Sequence, residues 1–220
     1  MYSLHNTEKS KYRKNLRNYS AVCSETIDKI EFEELIKAND ISELMGIEGR
    51  IRYNYYKAFS NILNDDFGYK KRTRPPTDPI NALISFGNSL MYTTVLGEIY
   101  KTQLDPTISY LHEPSTKRFS LSLDIAEIFK PLIIDTILFT VINKKIITNN
   151  DFTKNDGICM LNEKGKRKFI EEYEKKLSTT IKHRKLNRHV SYRGFIRLEC
   201  YKLIKYFIGD DIYTPLRAWW

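Results

Sequence analysis

The sequence predicts a mainly α-helical, multi-helical fold on three observations. Only 9 Gly and 7 Pro occur in 220 residues, so few positions interrupt regular structure. The apolar residues recur mostly at spacings of three and four, the period of a helix with one buried face. Asp78 directly before Pro79 is a strong helix start, because aspartate caps the first turn and proline suits its first position.

Helical patterns follow one another along the chain with short polar connections. A polar, basic helical segment over residues 1–42 precedes an α-helical domain over residues 43–220. Pro131 predicts a kink, because proline removes the hydrogen bond back to the carbonyl of Glu127. The patterns cover residues 26–39, 42–63, 79–101, 120–143, 163–184 and 191–209.

Charge and composition narrow the classes of partner. The chain has 36 Lys plus Arg against 27 Asp plus Glu, a net charge of +9, which favours nucleic acid or another polyanion. The longest apolar stretch, residues 131–142, is interrupted by Asp135 and is too short for a membrane span. The N-terminus lacks the apolar core of a secretory signal. We therefore expect a cytoplasmic protein that does not act at a membrane.

The three cysteines, Cys23, Cys159 and Cys200, are an odd number and lie far apart in the sequence. They form no C-x-x-C pattern, so neither a disulfide framework nor a zinc ribbon is indicated. We expect them to be small core residues.

Glu48 lies inside an apolar helical stripe that includes Leu44, Ile51 and Tyr55. A buried, ionised glutamate costs several kcal/mol unless it is paired with a cation or a metal. The alternative is a surface pair with Arg52 four residues on, with the stripe drawn one position too wide. Periodicity alone favours that alternative.

Asp124 and Glu127 lie on one face near the start of the helix that follows the His112 loop. Acids at a helix start also complement the helix dipole, and a lone histidine is more often a loop residue than a ligand. Together with Glu48, however, these groups could converge on one divalent ion. Mixed carboxylate and imidazole ligands suit Mn²⁺ or Mg²⁺ better than zinc.

Two basic regions could hold nucleic acid by its phosphates. The alternative is a set of solvated faces whose interleaved tyrosines, Tyr192, Tyr201 and Tyr206, belong to the core. The first region is a loop with Lys70, Lys71, Arg72 and Arg74, and the second contains Lys182, Arg184, Lys185, Arg188, Arg193, Arg197, Lys202 and Lys205.

A competing motif lies in the second region. Arg184 and His189 have the Arg-x4-His spacing of metal-independent helical ribonucleases. In a chain this rich in arginine, the match has a high chance rate, so the ribonuclease hypothesis ranks second.

Several motifs, in their order, resemble a known family. They are Gly46-Ile47-Glu48-Gly49, Arg74-Pro75-Pro76-Thr77-Asp78-Pro79, Tyr110-Leu111-His112, the stretch 120–131, and the terminal Tyr213-Thr214-Pro215 with Trp219-Trp220. Over residues 43–220 the chain resembles the CRISPR-associated spacer-acquisition integrases, the first-numbered Cas family, and its tail is similar to the subtype I-B branch.

This resemblance implies that Glu48, His112 and Glu127 are metal ligands, with Glu127 standing where many relatives have aspartate. Asp124 would be an auxiliary acid, and Asn81 would join Arg74 as a neighbour of bound DNA. The family has an N-terminal β domain that helps pair two protomers into a homodimer, and we expect this chain to lack it.

The implied function is that of a metal-dependent DNA endonuclease and integrase. Such an enzyme joins protospacer 3′-OH ends to CRISPR repeat DNA, acts on double-stranded and branched DNA, and works with a small adaptation partner subunit. Two alternatives stay open: a DNA-binding fragment without catalysis, and the ribonuclease that uses Arg184 and His189.

Overall fold

The computed structural model describes residues 40–57, 59, 63, 67–109 and 119–218. Helices dominate this part of the chain, as predicted, whereas the predicted helix over residues 26–39 lies outside it. The helices are α1 (Ile41–Lys57), α2 (Pro79–Ile99), α3 (Ser120–Lys130), α4 (Thr136–Asn143), α5 (Glu163–Ser178) and α6 (Tyr192–Phe207). The strands are β1 (Phe152–Asn155), β2 (Ile158–Leu161), β3 (Thr180–Lys182) and β4 (His189–Ser191).

Three helices begin at capping residues that the sequence supplies. Asp78 accepts a hydrogen bond from the amide of Asn81 at 2.9 Å, as its position before Pro79 predicts. Asn162 caps α5 and Ser191 caps α6 in the same way. Each side-chain oxygen satisfies an amide that has no partner within its helix.

The interruption predicted at Pro131 takes the form of a π-helical turn. Residues Pro131–Asp135 connect α3 to α4 without leaving the helical path. Proline has no N–H to donate, and single π-turns are a common way for a helix to absorb such a defect. The turn brings Ile134 close to Gly87 of α2, where an added Cβ would lie 2.7 Å from the Ile134 Cγ2.

Two short β-hairpins are present that the sequence does not predict. β1 pairs antiparallel with β2 inside the polar stretch before α5. The helix predicted over residues 163–184 is too long, because α5 ends at Ser178 and β3 then pairs antiparallel with β4. The β-branched run Thr179-Thr180-Ile181 favours the extended conformation at this point.

The core forms around α2, which packs against α3, α6 and β2. The continuous segment formed by α3, the π-helical turn and α4 packs against α2. Its first part, α3, carries Asp124 and Glu127. The largest fully buried side chains include Phe59, Ile80, Leu83, Ile84, Met91, Phe129, Ile133, Ile134, Leu138, Phe169 and Phe195.

Two expectations from composition have structural counterparts. Cys159 and Cys200 are buried, free thiols, and Cys23 lies outside the described residues. Among the described helices, none combines the length and the apolar character that a bilayer span requires.

Candidate metal site and nucleic-acid surface

Helix α1 places Glu48 between its buried residues. Ile47 and Tyr56 are buried and lie about 180° apart around the helix, with Glu48 between them. Ile51 and Tyr55 of the predicted stripe are partly buried, so Glu48 lies within that stripe. The Glu48 side chain is 32% exposed and Arg52 contacts it at i, i+4. The pair with Arg52 that the alternative predicts is present.

The pair is more than a surface contact, because it includes a third group from a distant helix. One guanidinium nitrogen of Arg52, Nη2, donates to Oε1 of Glu48 and to Oε2 of Glu127. The other, Nη1, donates to Oε1 of Glu127 at 3.3 Å. The structure thus brings Glu48 and Glu127 together, as the sequence reading expected.

Lys130 holds Glu127 from the opposite side. Its Nζ contacts Oε1 of Glu127 and donates to the hydroxyl of Tyr92 at 2.6 Å. The ammonium also lies 4.5 Å from the centroid of the Tyr92 ring. The Lys130 side chain is only 5% exposed, so helix α2 fixes the position of one glutamate through a buried cation.

The charges in this cluster balance. Two carboxylates, Glu48 and Glu127, face two cations, Arg52 and Lys130. Burial on its own would lower the pKa of Arg52, but the charges of Glu127 and Glu48 outweigh it and raise that pKa above its ordinary value. The guanidinium stays charged and acts as the counter-ion of both carboxylates.

A buried carboxyl group lies beyond this cluster at the end of the π-turn. Asp135 is 4% exposed and accepts a hydrogen bond from the hydroxyl of Tyr55 at 2.6 Å. Burial raises the pKa of Asp135 to about 6, against the lowering effects of the Tyr55 hydrogen bond and of the Lys130 charge. Burial, followed by the charge of Asp135, raises the pKa of Tyr55.

The sequence reading did not assign Tyr55, Tyr92, Lys130 or Asp135 to the site. Asp135 was visible as an acid inside an apolar run, and Lys130 as a basic residue three positions after Glu127. Tyr92 carried no comparable signal, because its role depends on how α2 packs against α3.

The other proposed ligands have different outcomes. His112 lies outside the described residues. Asp124 is partly buried on α3, and across the described ranges no three His, Cys, Asp or Glu side chains form a group that could hold a metal. Glu48 and Glu127 nevertheless fit a hard divalent cation, since two carboxylates that share one cationic partner are the oxygen ligands that Mg²⁺ and Mn²⁺ prefer.

The basic loop before α2 is built around Asn81, and this corrects one expectation. Asn81 has no exposed surface. Its Oδ1 accepts from Arg72 Nη1 at 2.8 Å and from the Thr73 amide at 3.0 Å, and its Nδ2 donates to the Lys71 carbonyl at 2.8 Å. Asn81 therefore shapes the loop and cannot itself touch DNA.

Arg72 is also turned inward. It donates to the Thr73 carbonyl at 2.6 Å and to the Ser85 hydroxyl at 2.9 Å, in addition to Asn81. Lys71 and Arg74 are exposed on the same loop. Lys71 and Arg74 are therefore the residues of this loop that could contact DNA. Arg72 instead holds the loop against α2 through Asn81 and Ser85.

We expect Asn81→Ala to lower the free energy of unfolding by about 2 kcal/mol, because it leaves the Thr73 amide and the Lys71 carbonyl without their partner. Urea denaturation measures the change. The matched control is Asn155→Ala at an exposed strand position, with an expected change within about 0.5 kcal/mol. Equal stabilities of the two variants would contradict this role of Asn81.

Several cations of the C-terminal basic region form ion pairs. Arg193, predicted to contact DNA, pairs with Glu174 at 3.0 Å, and Arg197 pairs with the buried Glu98 at 2.7 Å. Lys202 and Lys205 pair with Glu199 and Asp210. Exposed cations lie on the β3–β4 hairpin, at Lys182, Arg184, Lys185 and Arg188. Among the interleaved tyrosines, Tyr192 is buried, whereas Tyr201 and Tyr206 are exposed.

The two residues of the ribonuclease motif lie on the β3–β4 hairpin. Arg184 lies in the turn that joins β3 to β4, and His189 begins β4. The ribonuclease hypothesis stays a prediction.

Known proteins similar to this chain agree with one another. The family model described as CRISPR associated protein Cas1 matches residues 3–175. "CRISPR-associated endonuclease Cas1" from Clostridium perfringens is 64% identical over 213 residues, which are 94% of this chain and 64% of that relative. The chain therefore spans less than two thirds of the length of that protein.

Solved structures show the same fold. A Cas1 protein from Thermotoga maritima superposes with a TM-score of 0.80 at 42% identity, covering 91% of this chain and 63% of that one. A casposase bound to an integration product gives a TM-score of 0.78 at 21% identity over 93% of this chain and 63% of its own, a likeness of fold alone. On the family model and on relatives at this identity, the chain belongs to the Cas1 family of CRISPR-associated proteins.

Proposed function

We propose that this chain is the catalytic part of a metal-dependent DNA endonuclease and integrase that joins protospacer 3′-OH ends to CRISPR repeat DNA. The observation that carries the proposal is the convergence of Glu48 and Glu127, from two separate helices, on Arg52. The relative from Clostridium perfringens is named an endonuclease, and its high identity supports the same activity here.

The ligands of the proposed Mg²⁺ or Mn²⁺ ion are Glu48, Glu127 and His112, with Asp124 as an auxiliary acid. The ion, when bound, would act as a Lewis acid on the scissile phosphate and stabilise the charge that develops there. Lys130 keeps Glu127 in place through its buried contact with Tyr92, so the ligand does not have to be reordered for each reaction.

The chemistry is a transesterification at phosphorus. The 3′-oxygen of the protospacer end forms a bond to the phosphorus of the repeat, and the bond from that phosphorus to its original 3′-oxygen breaks. The proton of the attacking hydroxyl is lost and the departing oxygen gains one. The same centre, with water as the nucleophile, would cleave branched DNA.

The exposed cations supply the proposed DNA surface. They lie on the basic loop and on the β3–β4 hairpin, at Lys71, Arg74, Arg184, Lys185 and Arg188. Contacts of this kind bind phosphates without reading sequence. Base preference would then depend on DNA shape, DNA ends and partner proteins.

We expect the triple variant Arg184→Gln, Lys185→Gln, Arg188→Gln to bind duplex DNA more weakly. The slope of log K against log salt should fall by about 2 to 3, because roughly 0.9 counterions are released per neutralised phosphate. Fluorescence anisotropy at several salt concentrations measures it. Lys164→Gln with Arg167→Gln, two exposed cations on α5, is the control, and an unchanged slope in the triple variant would exclude the hairpin from the DNA surface.

The proposed partners are double-stranded and branched DNA, a small adaptation subunit and a second copy of the chain. Placement in the subtype I-B branch stays a prediction from the resemblance of the tail. An integration assay on branched DNA with Mn²⁺, Mg²⁺ or EDTA, with and without the small subunit, tests the function. Products that require the ion support it, whereas normal DNA binding without products under any condition indicates a binding module.

A further inference from the structure

The guanidinium of Arg52 lies where the two glutamates meet. Its Nη2 is within hydrogen-bonding distance of both carboxylates, so their oxygens are at most about 6 Å apart. A divalent ion bound to an oxygen of each carboxylate would lie about 2.1 Å from both, in the space between the two carboxylates that Nη2 of Arg52 occupies. Arg52 and the ion therefore compete for one place.

We propose that Arg52 is a displaceable counter-ion, which holds Glu48 and Glu127 together in the metal-free protein and must leave them when a divalent cation binds. This inference rests on the proposed metal site. Two carboxylates and two cations already balance in the cluster. Adding a divalent charge while Arg52 stays would leave an excess of two positive charges in a half-buried site, which is strongly unfavourable.

The surroundings distinguish Arg52 from Lys130, the other cation of the cluster. The Lys130 side chain is 5% exposed and tied to Tyr92, so it is fixed. The Arg52 side chain is 30% exposed, and the side chains of its partners Glu48 and Glu127 are 32% and 21% exposed. Arg52 can therefore rotate towards solvent, where a DNA phosphate offers the bidentate acceptor that a guanidinium prefers.

The exchange predicts coupling between metal and DNA. A phosphate that takes Arg52 removes the competitor, so DNA should tighten metal binding, and metal should tighten DNA binding by the same factor. A variant without the guanidinium should show much less of this coupling.

The test measures Mn²⁺ binding by isothermal titration calorimetry without DNA. Arg52→Gln should bind Mn²⁺ about tenfold more tightly than the unmodified chain, because it removes a competing positive charge. Arg50→Gln, an exposed arginine on the same helix, is the matched control with the same change in charge and should show a much smaller effect. Adding duplex DNA should increase the affinity less in Arg52→Gln than in the unmodified chain.

Thermal unfolding gives a second readout without activity. Without metal, Arg52→Gln should melt at a lower temperature, because Glu48 and Glu127 then lose a shared cation, and Mn²⁺ should raise its melting temperature more than that of the unmodified chain. If Arg52→Gln folds poorly, Arg52→Lys replaces it. A lysine ammonium keeps the charge but loses the planar fork, so its Mn²⁺ affinity should be intermediate.

The outcomes separate the two proposals. Equal Mn²⁺ affinity in the unmodified chain and in both Arg52 variants, with binding abolished by Glu48→Gln in each, would overturn the role of Arg52 and leave the metal site standing. Mn²⁺ binding that Glu48→Gln does not affect would overturn the metal site, and the role of Arg52 with it.

Discussion

Glu48→Gln and Glu127→Gln should each reduce metal-dependent strand transfer by about a hundredfold or more, because each removes a charged ligand of the proposed ion. The amide has the same shape as the carboxylate and can still accept a hydrogen bond from Arg52, so the fold should persist. The rate of joining of a labelled 3′-end to a branched DNA substrate in Mn²⁺ measures the effect. His112→Ala should give the same loss if His112 is the third ligand.

Glu43→Gln is the matched control, since Glu43 lies in the exposed first turn of the same helix. It should retain strand transfer within about twofold. DNA binding by all the variants, measured in EDTA so that no metal contributes, should stay near that of the unmodified chain, because the exposed cations are unchanged. Full turnover in both Glu48→Gln and Glu127→Gln would refute the site.

The sequence predicts the helices well where local chemistry determines them. Asp78 with Pro79 sets the start of α2, and Pro131 sets the position of the π-turn. It fails at the end of α5, where the helical pattern continues past Ser178 but β3 pairs with β4. A strand of three residues is stabilised by its partner across the hairpin, and periodicity along one segment contains no information about that partner.

The residues of the candidate site could likewise be predicted only in part. An acid inside an apolar stripe and two acids near a helix start could be recognised at Glu48, Asp124 and Glu127, and the structure brings Glu48 and Glu127 together. The roles of Tyr92 and of Asn81 could not be recognised, because both depend on packing. Asn81 resembles a polar surface residue in the sequence, yet its amide is completely enclosed by the loop that it organises.

Asp135 shows how a buried charge behind the site affects the stability of the whole fold. Among the described residues, only the Tyr55 hydroxyl donates a hydrogen bond to its carboxyl, at 2.6 Å. Burial raises the pKa of Asp135 from 3.8 to about 6. Because each pKa unit corresponds to about 1.4 kcal/mol, ionised Asp135 lowers the free energy of unfolding by about 3 kcal/mol relative to its protonated form. The folded state binds this proton more tightly than the unfolded state does. Stability from this group is therefore present below about pH 4 and is lost as the pH rises through about 6.

We therefore expect Asp135→Asn to raise the free energy of unfolding by about 3 kcal/mol at pH 8 and to change it little at pH 4, since the amide accepts the Tyr55 hydrogen bond without a charge. Urea denaturation at a series of pH values measures the difference. The control is Asp156→Asn in the exposed turn between β1 and β2, which should stay within about 0.5 kcal/mol at every pH. A gap between Asp135→Asn and the unmodified chain that is the same at pH 4 and pH 8 would show that burial does not penalise this carboxylate. A difference in the free energy of unfolding that appears only as the pH rises from 4 to 8 would show that ionisation of the buried Asp135 carboxyl destabilises the fold.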